Sequence, residues 1–426
     1  MPKRKHLIIG CGGAALSALK QIRKSGSDDE VKLVTMEDYL PYAPMSLPYL
    51  ISGTKKEEEI FITEKGFFDK MNATFARGKR VDRIEPDRNT VFYADGESET
   101  YDTLLITTGS KPRLQSELTA AKIPGFHIMD DYVGLKEIKD NSRVTILGVG
   151  FVGTELAVSL VDKGHAVHLI APRDRILRPY FDAELDDIII DLFSEKGIPI
   201  ELNWGEVAAI ERHDPSIEVT FESGQKITTD VLIPATGVTP RISFLKESGL
   251  RINEGLVVDR TMKTSRDNIF AAGDVAEAPG FYNGNKGLSL TWPSAVEQGR
   301  IAGSNMVGVV AAYDGWLPMN AFNFFGHFAL SIGEYIASEK DEALTDKDKE
   351  NRRFGKIVCH ANKLIGANFF NVDVDGGALQ YLIRNRIDVG AHRQQLLSNP
   401  KEIGRWLMHE SEKKNTLSLE HQEIKK

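Results

Sequence analysis

The chain has 426 residues, 41% of them hydrophobic and 27% charged, with a formal net charge of −8; this is an ordinary folded composition, with room for two or three cored domains. The acidic balance argues against nucleic acid or an anionic membrane as the main partner. Two cysteines, Cys11 and Cys359, exclude a disulfide framework, and they leave no ligand set for a zinc ribbon or an iron–sulfur cluster, so no metal is expected. No apolar run reaches the roughly 18 residues of a membrane span. Glycines soon after Lys3-Arg4-Lys5 break a signal-peptide pattern, and a cytoplasmic protein is expected.

A strand at 6–9 runs into Gly10-Cys11-Gly12-Gly13-Ala14-Ala15, then a helix at about 15–24 and a strand at 31–36 with Glu37 at its end. This is a βαβ unit with the GxGxxA form of the dinucleotide fingerprint. Its glycines let the backbone approach a pyrophosphate, and the helix N-terminus attracts the charge. Glu37 lies 22 residues after Ala15, close to the roughly 20 expected of a ribose-binding acid. A strand at 103–106 then closes into Thr107-Thr108-Gly109-Ser110-Lys111-Pro112.

A second unit follows. After a strand at 143–147 comes Gly148-Val149-Gly150-Phe151-Val152-Gly153-Thr154-Glu155, a full GxGxxG with a trailing Glu. A helix to about 163 and a strand at 166–170 complete it. A strand at 231–234 closes into Ala235-Thr236-Gly237-Val238-Thr239-Pro240. The two glycine loops lie 138 residues apart, and each has its own closing segment. Small residues at these strand ends let the chain pass close to a cofactor. The duplication implies two dinucleotide ligands.

Further on, a buried strand at 269–275 ends in Gly273-Asp274, and Pro293 suits the start of a helix running to about 306. From about 320 the character changes. Strands are expected at 328–332, 356–360 and 364–370, and helices at 378–385 and about 402–409. The charged run 340–353 reads as an exposed loop, and the last fifteen or so residues as a mobile tail.

The order GxGxxA, acid, TTGSKP, GxGxxGxE, ATGxxP, AAGD, WPxAxxQG resembles the FAD-dependent pyridine nucleotide–disulfide oxidoreductase family over roughly residues 5–310. The remainder is similar to that family's interface domain. The resemblance implies an α/β protein with two Rossmann-like domains. One, for FAD, covers 1–112 and 238–319; the other, for NAD(P), covers 113–237. A C-terminal α+β interface domain with a mobile tail takes 320–426. By the same resemblance, Gly10, Gly12, Gly13 and Ala15 hold the FAD pyrophosphate, with Thr108 and Gly109 beside the cofactor. Glu37 holds the adenosine ribose, and Gly273 and Asp274 reach the ribityl-phosphate chain. Trp292 and Pro293 start a helix aimed at the flavin's pyrimidine edge, where its N-terminus stabilises charge developed on reduction. Gly148, Gly150, Gly153 and Gly237 hold the nicotinamide nucleotide, and Glu155 lies near the flavin–nicotinamide stack.

Disulfide-reducing members of the family place thiols against the flavin. One branch carries CxxxxC after the first acid, and this chain has none. Another carries one cysteine in a stretch similar to Tyr42-Ala43-Pro44-Met45-Ser46-Leu47-Pro48-Tyr49, where Met45 stands in its place. A thioether forms no thiolate, mixed disulfide or sulfenic acid. Cys11, in the pyrophosphate turn, and Cys359, in a strand, read as fillers, and His327 and His392 form no acid–base pair. The chemistry that remains is hydride exchange between nicotinamide and flavin, with electrons passed singly to or from an iron–sulfur protein or subunit. SLPYLISG, WPxAxxQG and LIGANFF…LIRNRIDV are similar to flavoprotein subunits of multi-subunit electron-transfer enzymes, including 2-oxoacid oxidoreductases that deliver electrons to NAD. An oligomer or hetero-complex is therefore expected. A hydrogen-peroxide-forming NAD(P)H oxidase and a non-catalytic nucleotide-sensing flavoprotein are the alternatives.

The choice of nicotinamide turns on the end of the strand at 166–170. Ala171 stands where an NAD-preferring unit has an acid. Arg173 and Arg175 favour a 2′-phosphate, whereas Pro172 and Asp174 oppose it. The reading leans to NAD and keeps NADP open.

Overall fold

The computed structural model describes residues 3–136, 138–178 and 180–423. The chain forms two compact units: Met1–Gly148, Ser159–Val167 and Glu206–Leu317 in the first, and Val149–Val158, His168–Gly205 and Pro318–Lys426 in the second. Among the described residues no helix is long and apolar enough to cross a membrane.

The first unit is built on a five-stranded sheet in the order Ile269–Ala271, Thr103–Ile106, Lys5–Ile9, Glu30–Val34, Ala73–Ala76. All its neighbours are parallel, with Ile8 opposite both Leu33 and Leu105. Ile8, Leu33, Leu104, Leu105, Ile106 and Ile269 are fully buried, since a parallel sheet covered on both faces needs continuous apolar strands. Strand order reverses at Lys5–Ile9, so the Gly10 loop leaves the sheet at its switch point, where open α/β sheets bind ligands.

Helix Gly13–Lys24 buries Ala14, Ala15, Leu16, Ala18, Leu19 and Ile22 and ends on Arg23 and Lys24, which complement its dipole. Helix Trp292–Met306 packs against it at backbone contact. A Cβ on Gly299 would lie 2.1 Å from the Ala14 carbonyl oxygen, and one on Gly303 2.5 Å from that of Ala18. The buried strand expected at 269–275 stops at Ala271, because Gly273 turns the chain at φ +82°. The strand expected at 31–36 likewise ends at Val34.

Arg143–Leu147 pairs in parallel with Val231–Pro234. The two closing segments pair antiparallel, Ser110–Pro112 with Val238–Pro240. Helix Phe151–Asp162 and strand Ala166–Ile170 follow the second glycine loop, and Leu169 pairs in parallel with Ile200.

The second unit carries a five-stranded antiparallel sheet in the order Met319–Phe324, His327–Gly333, Lys363–Phe370, Arg353–His360, Glu342–Asp348. The charged run expected to be a loop is therefore an edge strand, Glu342–Asp348. Its charges suit that place, because an exposed edge is protected by charge from pairing with another chain. The last helix is Pro400–Glu423, longer than the 402–409 expected. The end of the expected tail, 424–426, lies outside the described residues.

Candidate functional site

The two glycine loops are built alike. Gly10 has φ +106° and Gly148 φ +118°, a region L side chains rarely enter. A Cβ on Gly10 would lie 2.2 Å from the Thr107 carbonyl oxygen, and one on Gly148 2.3 Å from that of Ala235. Each loop is thus pressed against the first residue of its own closing segment. Gly109 and Gly237, two residues further on, also have positive φ. At Gly12 and Gly150 a Cβ would meet nothing within 4 Å, which leaves a diphosphate room beside each helix start. Neither helix has an acid in its first turn, and no side chain caps the first, so its leading N–H groups are free for an anion.

Gly13 and Trp292 meet: a Cβ on Gly13 would lie 2.9 Å from the indole ring. Pro293 is the second residue of the Trp292–Met306 helix. Gly273 donates its amide to Gln298 Oε1 at 2.8 Å. Gln298 is fully buried, and its Nε2 is a donor without a partner among the described residues. Ala15 is fully buried in the helix beside it. A dinucleotide fits this cradle, with Gly12 open, the helix-start amides free and a buried donor orphaned.

Glu37 stands beyond the end of its strand. The Tyr42 hydroxyl donates to Glu37 Oε2 at 2.6 Å and accepts the Met129 amide at 3.0 Å. Burial raises the Glu37 carboxyl above its ordinary value, against the pull of that hydrogen bond. A cavity of about 440 Å³ lined by Met36, Glu37, Tyr39, Arg80, Ile128 and Asp130 opens here, within the size range of small-molecule sites. Further along, Ser110 Oγ donates to Asp274 Oδ2 at 2.7 Å, and His127 Nε2 lies 3.3 Å from the same oxygen of Ser110. Burial pushes the Asp274 carboxyl up and the His127 imidazole down. Thr108 Oγ1 donates to the Arg241 carbonyl at 2.9 Å. Tyr42, Ser110, His127, Arg241 and Gln298 were not singled out by sequence reasoning. Tyr42, Ser110 and Gln298 lie inside quoted motifs, but nothing local marks His127.

Met45 sits in the Pro44–Ser46 turn and is 45% exposed. Burial pushes the Cys11 thiol well above its ordinary range, with the Glu37 charge adding to it. Cys359 is buried in strand Arg353–His360, its thiol pushed up to about 11. Neither thiol is a thiolate at neutral pH, and the thiolate is the reactive form. Replacing both with alanine is expected to leave NADH-driven dye reduction, per bound flavin, within about twofold. A tenfold loss, on the order of 1.4 kcal/mol in barrier, would reveal a redox thiol.

In the second unit, Gly153 is buried in helix Phe151–Asp162, and Thr154 Oγ1 donates to the Gly150 carbonyl at 3.0 Å. Burial raises the Glu155 carboxyl from 4.5 to about 7. Between those values the folded chain keeps a proton that the unfolded chain has lost, so stability falls as pH rises through this window. Glu155→Gln removes the slope. Urea midpoints of variant and wild type are expected to agree near about pH 4 and to diverge by about pH 8, with wild type the less stable. Curves that stay parallel would place Glu155 in water.

Arg173 is exposed. Arg175 is committed: its Nε and Nη2 donate to Asp186 at 2.7 and 3.1 Å, and Nη2 also donates to the Phe181 carbonyl at 2.9 Å. The expectation that Arg175 favours a 2′-phosphate is therefore corrected, because its fork already holds a carboxylate.

Residues 4–299 match the pyridine nucleotide-disulphide oxidoreductase family. The chain is similar to the NADH-dependent phenylglyoxylate dehydrogenase subunit epsilon of Aromatoleum evansii, 33% identical over 419 residues that cover 96% of this chain and 98% of the relative. It is also similar to the NADH-rubredoxin oxidoreductase of Clostridium acetobutylicum, 29% identical over 84% of this chain and 88% of the relative. The water-forming NADH oxidase from Lactobacillus brevis, solved with NADH, shares the fold: TM-score 0.85, 22% identity, 98% of this chain and 100% of that one.

Proposed function

The chain belongs to the pyridine nucleotide-disulphide oxidoreductase family, and on that premise we propose that this FAD-dependent NAD(P)H oxidoreductase exchanges electrons with an iron–sulfur protein or subunit. The observation that carries the reading is Met45 in the place of the family's flavin-facing thiol. Without a thiol relay, electrons leave or reach the flavin through a separate carrier. Bound FAD supplies hydride exchange on one side and one-electron exchange on the other. The near full-length similarity to a phenylglyoxylate dehydrogenase subunit supports membership of a larger assembly of that kind.

In this reading FAD occupies 1–112 and 238–319. Gly10, Gly12, Gly13, Ala15, Thr108 and Gly109 line the diphosphate, and Glu37 binds the ribose, held in place by Tyr42. Gly273 and Asp274 bind the ribityl chain, and Trp292 and Pro293 present a helix start to the ring. The nicotinamide nucleotide takes 113–237, with Gly148, Gly150, Gly153 and Gly237 at its diphosphate and Glu155 near its reactive end. Residues 320–426 form the interface domain. The pairing of Arg175 with Asp186 removes one of two candidate phosphate ligands, which favours NAD.

The test is purification without a tag, followed by reduction with either nicotinamide. An iron–sulfur protein should copurify. NADH should reduce the flavin at least several-fold more efficiently than NADPH, and Arg173→Ala should barely change this. A preference for NADPH that Arg173→Ala abolishes would make the loop a phosphate clamp. Oxygen uptake as fast as dye reduction would mark an oxidase instead.

A further inference from the structure

We propose that Arg241 supplies the positive charge that meets the diphosphate of the dinucleotide at the first glycine loop; the inference rests on the flavin reading above. Arg241 follows Pro240 at the end of the second closing segment, yet its bonds run to the first. Its amide donates to the Gly109 carbonyl at 2.9 Å, its carbonyl accepts Thr108 Oγ1 at 2.9 Å, and its Nε donates to the Ser110 carbonyl at 2.8 Å. The antiparallel pairing of Val238–Pro240 with Ser110–Pro112 holds this register. The guanidinium is therefore positioned by backbone groups and not by an acid.

Nε is used in that way, and both terminal nitrogens remain. Among the described residues neither has a hydrogen-bond or ion-pair partner. Glu37 and Asp131 are the carboxylates whose charge reaches Arg241, but both are engaged elsewhere. Glu37 accepts from Tyr42, and Asp131 Oδ2 accepts the amides of His127 and Ile128 at 2.7 and 2.8 Å. Half-burial already costs the guanidinium hydration. A cation in that position is stabilised by a counterion with several acceptor oxygens, and two adjacent phosphates present such a set to a planar fork.

Its links toward two acids point to the ligand. On one side it senses Glu37 at the adenosine end. On the other it holds Ser110, whose hydroxyl donates to Asp274 at the ribityl end. A dinucleotide laid from Glu37 to Asp274 carries its diphosphate between them. The helix start at Gly13 offers only about half a positive charge against the two negative charges of a diphosphate, and a guanidinium beside it offsets a further one.

Full-length apoprotein is titrated with FAD, ADP and adenosine. Arg241→Met is expected to raise the dissociation constants of FAD and ADP at least tenfold and to leave that of adenosine within twofold. Glu37→Gln added to Arg241→Met should weaken FAD further. Unchanged FAD and ADP binding overturns the proposal, as does equal loss for ADP and adenosine, or rescue by Glu37→Gln; the last two would mean that Arg241 only balances Glu37. Should Arg241→Met not fold, Arg241→Lys is read the same way, with ADP weakened about three- to tenfold and adenosine unchanged; equal loss, or none, overturns the proposal. A wild-type chain that binds neither FAD nor ADP overturns the flavin reading itself, whereas wild-type binding matched by Arg241→Met overturns only the assignment of Arg241.

Discussion

Gly10→Ala is expected to cost the protein its FAD. The added methyl would sit 2.2 Å from the Thr107 carbonyl oxygen, on a backbone at φ +106°. Neither neighbour can yield cheaply. The Gly10 amide donates to the Val34 carbonyl at 2.8 Å, and the Thr107 amide and hydroxyl both donate to the Ile9 carbonyl at 2.8 Å. Moving either strand end therefore breaks the centre of the parallel sheet. Positive-φ strain costs roughly 1–2 kcal/mol, and overpacking typically about 1–3 kcal/mol. Together, roughly 2–5 kcal/mol at 1.4 kcal/mol per decade weakens FAD binding by about 30-fold to more than a thousandfold. The flavin-to-protein ratio after dialysis measures this. A variant that keeps one FAD per chain would show that the diphosphate lies elsewhere.

Gly148→Ala is expected to separate the two nucleotides. The geometry is the same, with a methyl 2.3 Å from the Ala235 carbonyl oxygen at φ +118°, and so is the expected cost of roughly 2–5 kcal/mol. Here the loss falls on the nicotinamide. The variant should remain yellow and be reduced by dithionite, while the efficiency of flavin reduction by NADH falls about 30-fold or more. Loss of FAD from this variant as well would overturn the assignment of one dinucleotide to each loop.

The glycine loops were legible because their constraint is local. A positive φ and a carbonyl at van der Waals contact admit only glycine, so backbone geometry is written directly in residue identity. The closing segments were legible through the positive φ of Gly109 and Gly237 alone, and the parallel strands because burial on both faces demands unbroken apolar runs. The edge strand Glu342–Asp348 was not. An edge tolerates and even favours charge, so its composition imitates a loop. Arg175 showed the opposite limit. Its type and place suit a phosphate, but its partner Asp186 lies on a helix eleven residues later, and only the fold brings the two side chains together.

The sequence by itself determined the duplicated dinucleotide units, the order of the motifs and the absence of a thiol at position 45. Each of these is carried by contiguous residues obeying local rules. Only the tertiary structure decided how separate segments combine. It pairs the two closing segments and completes the sheet with Ile269–Ala271 beside Thr103–Ile106. It joins Asp274, Ser110 and His127 from three parts of the chain, and it sets Arg241 against residues 108–110. No short stretch specifies these meetings, because they depend on strand register and helix packing fixed by the whole core.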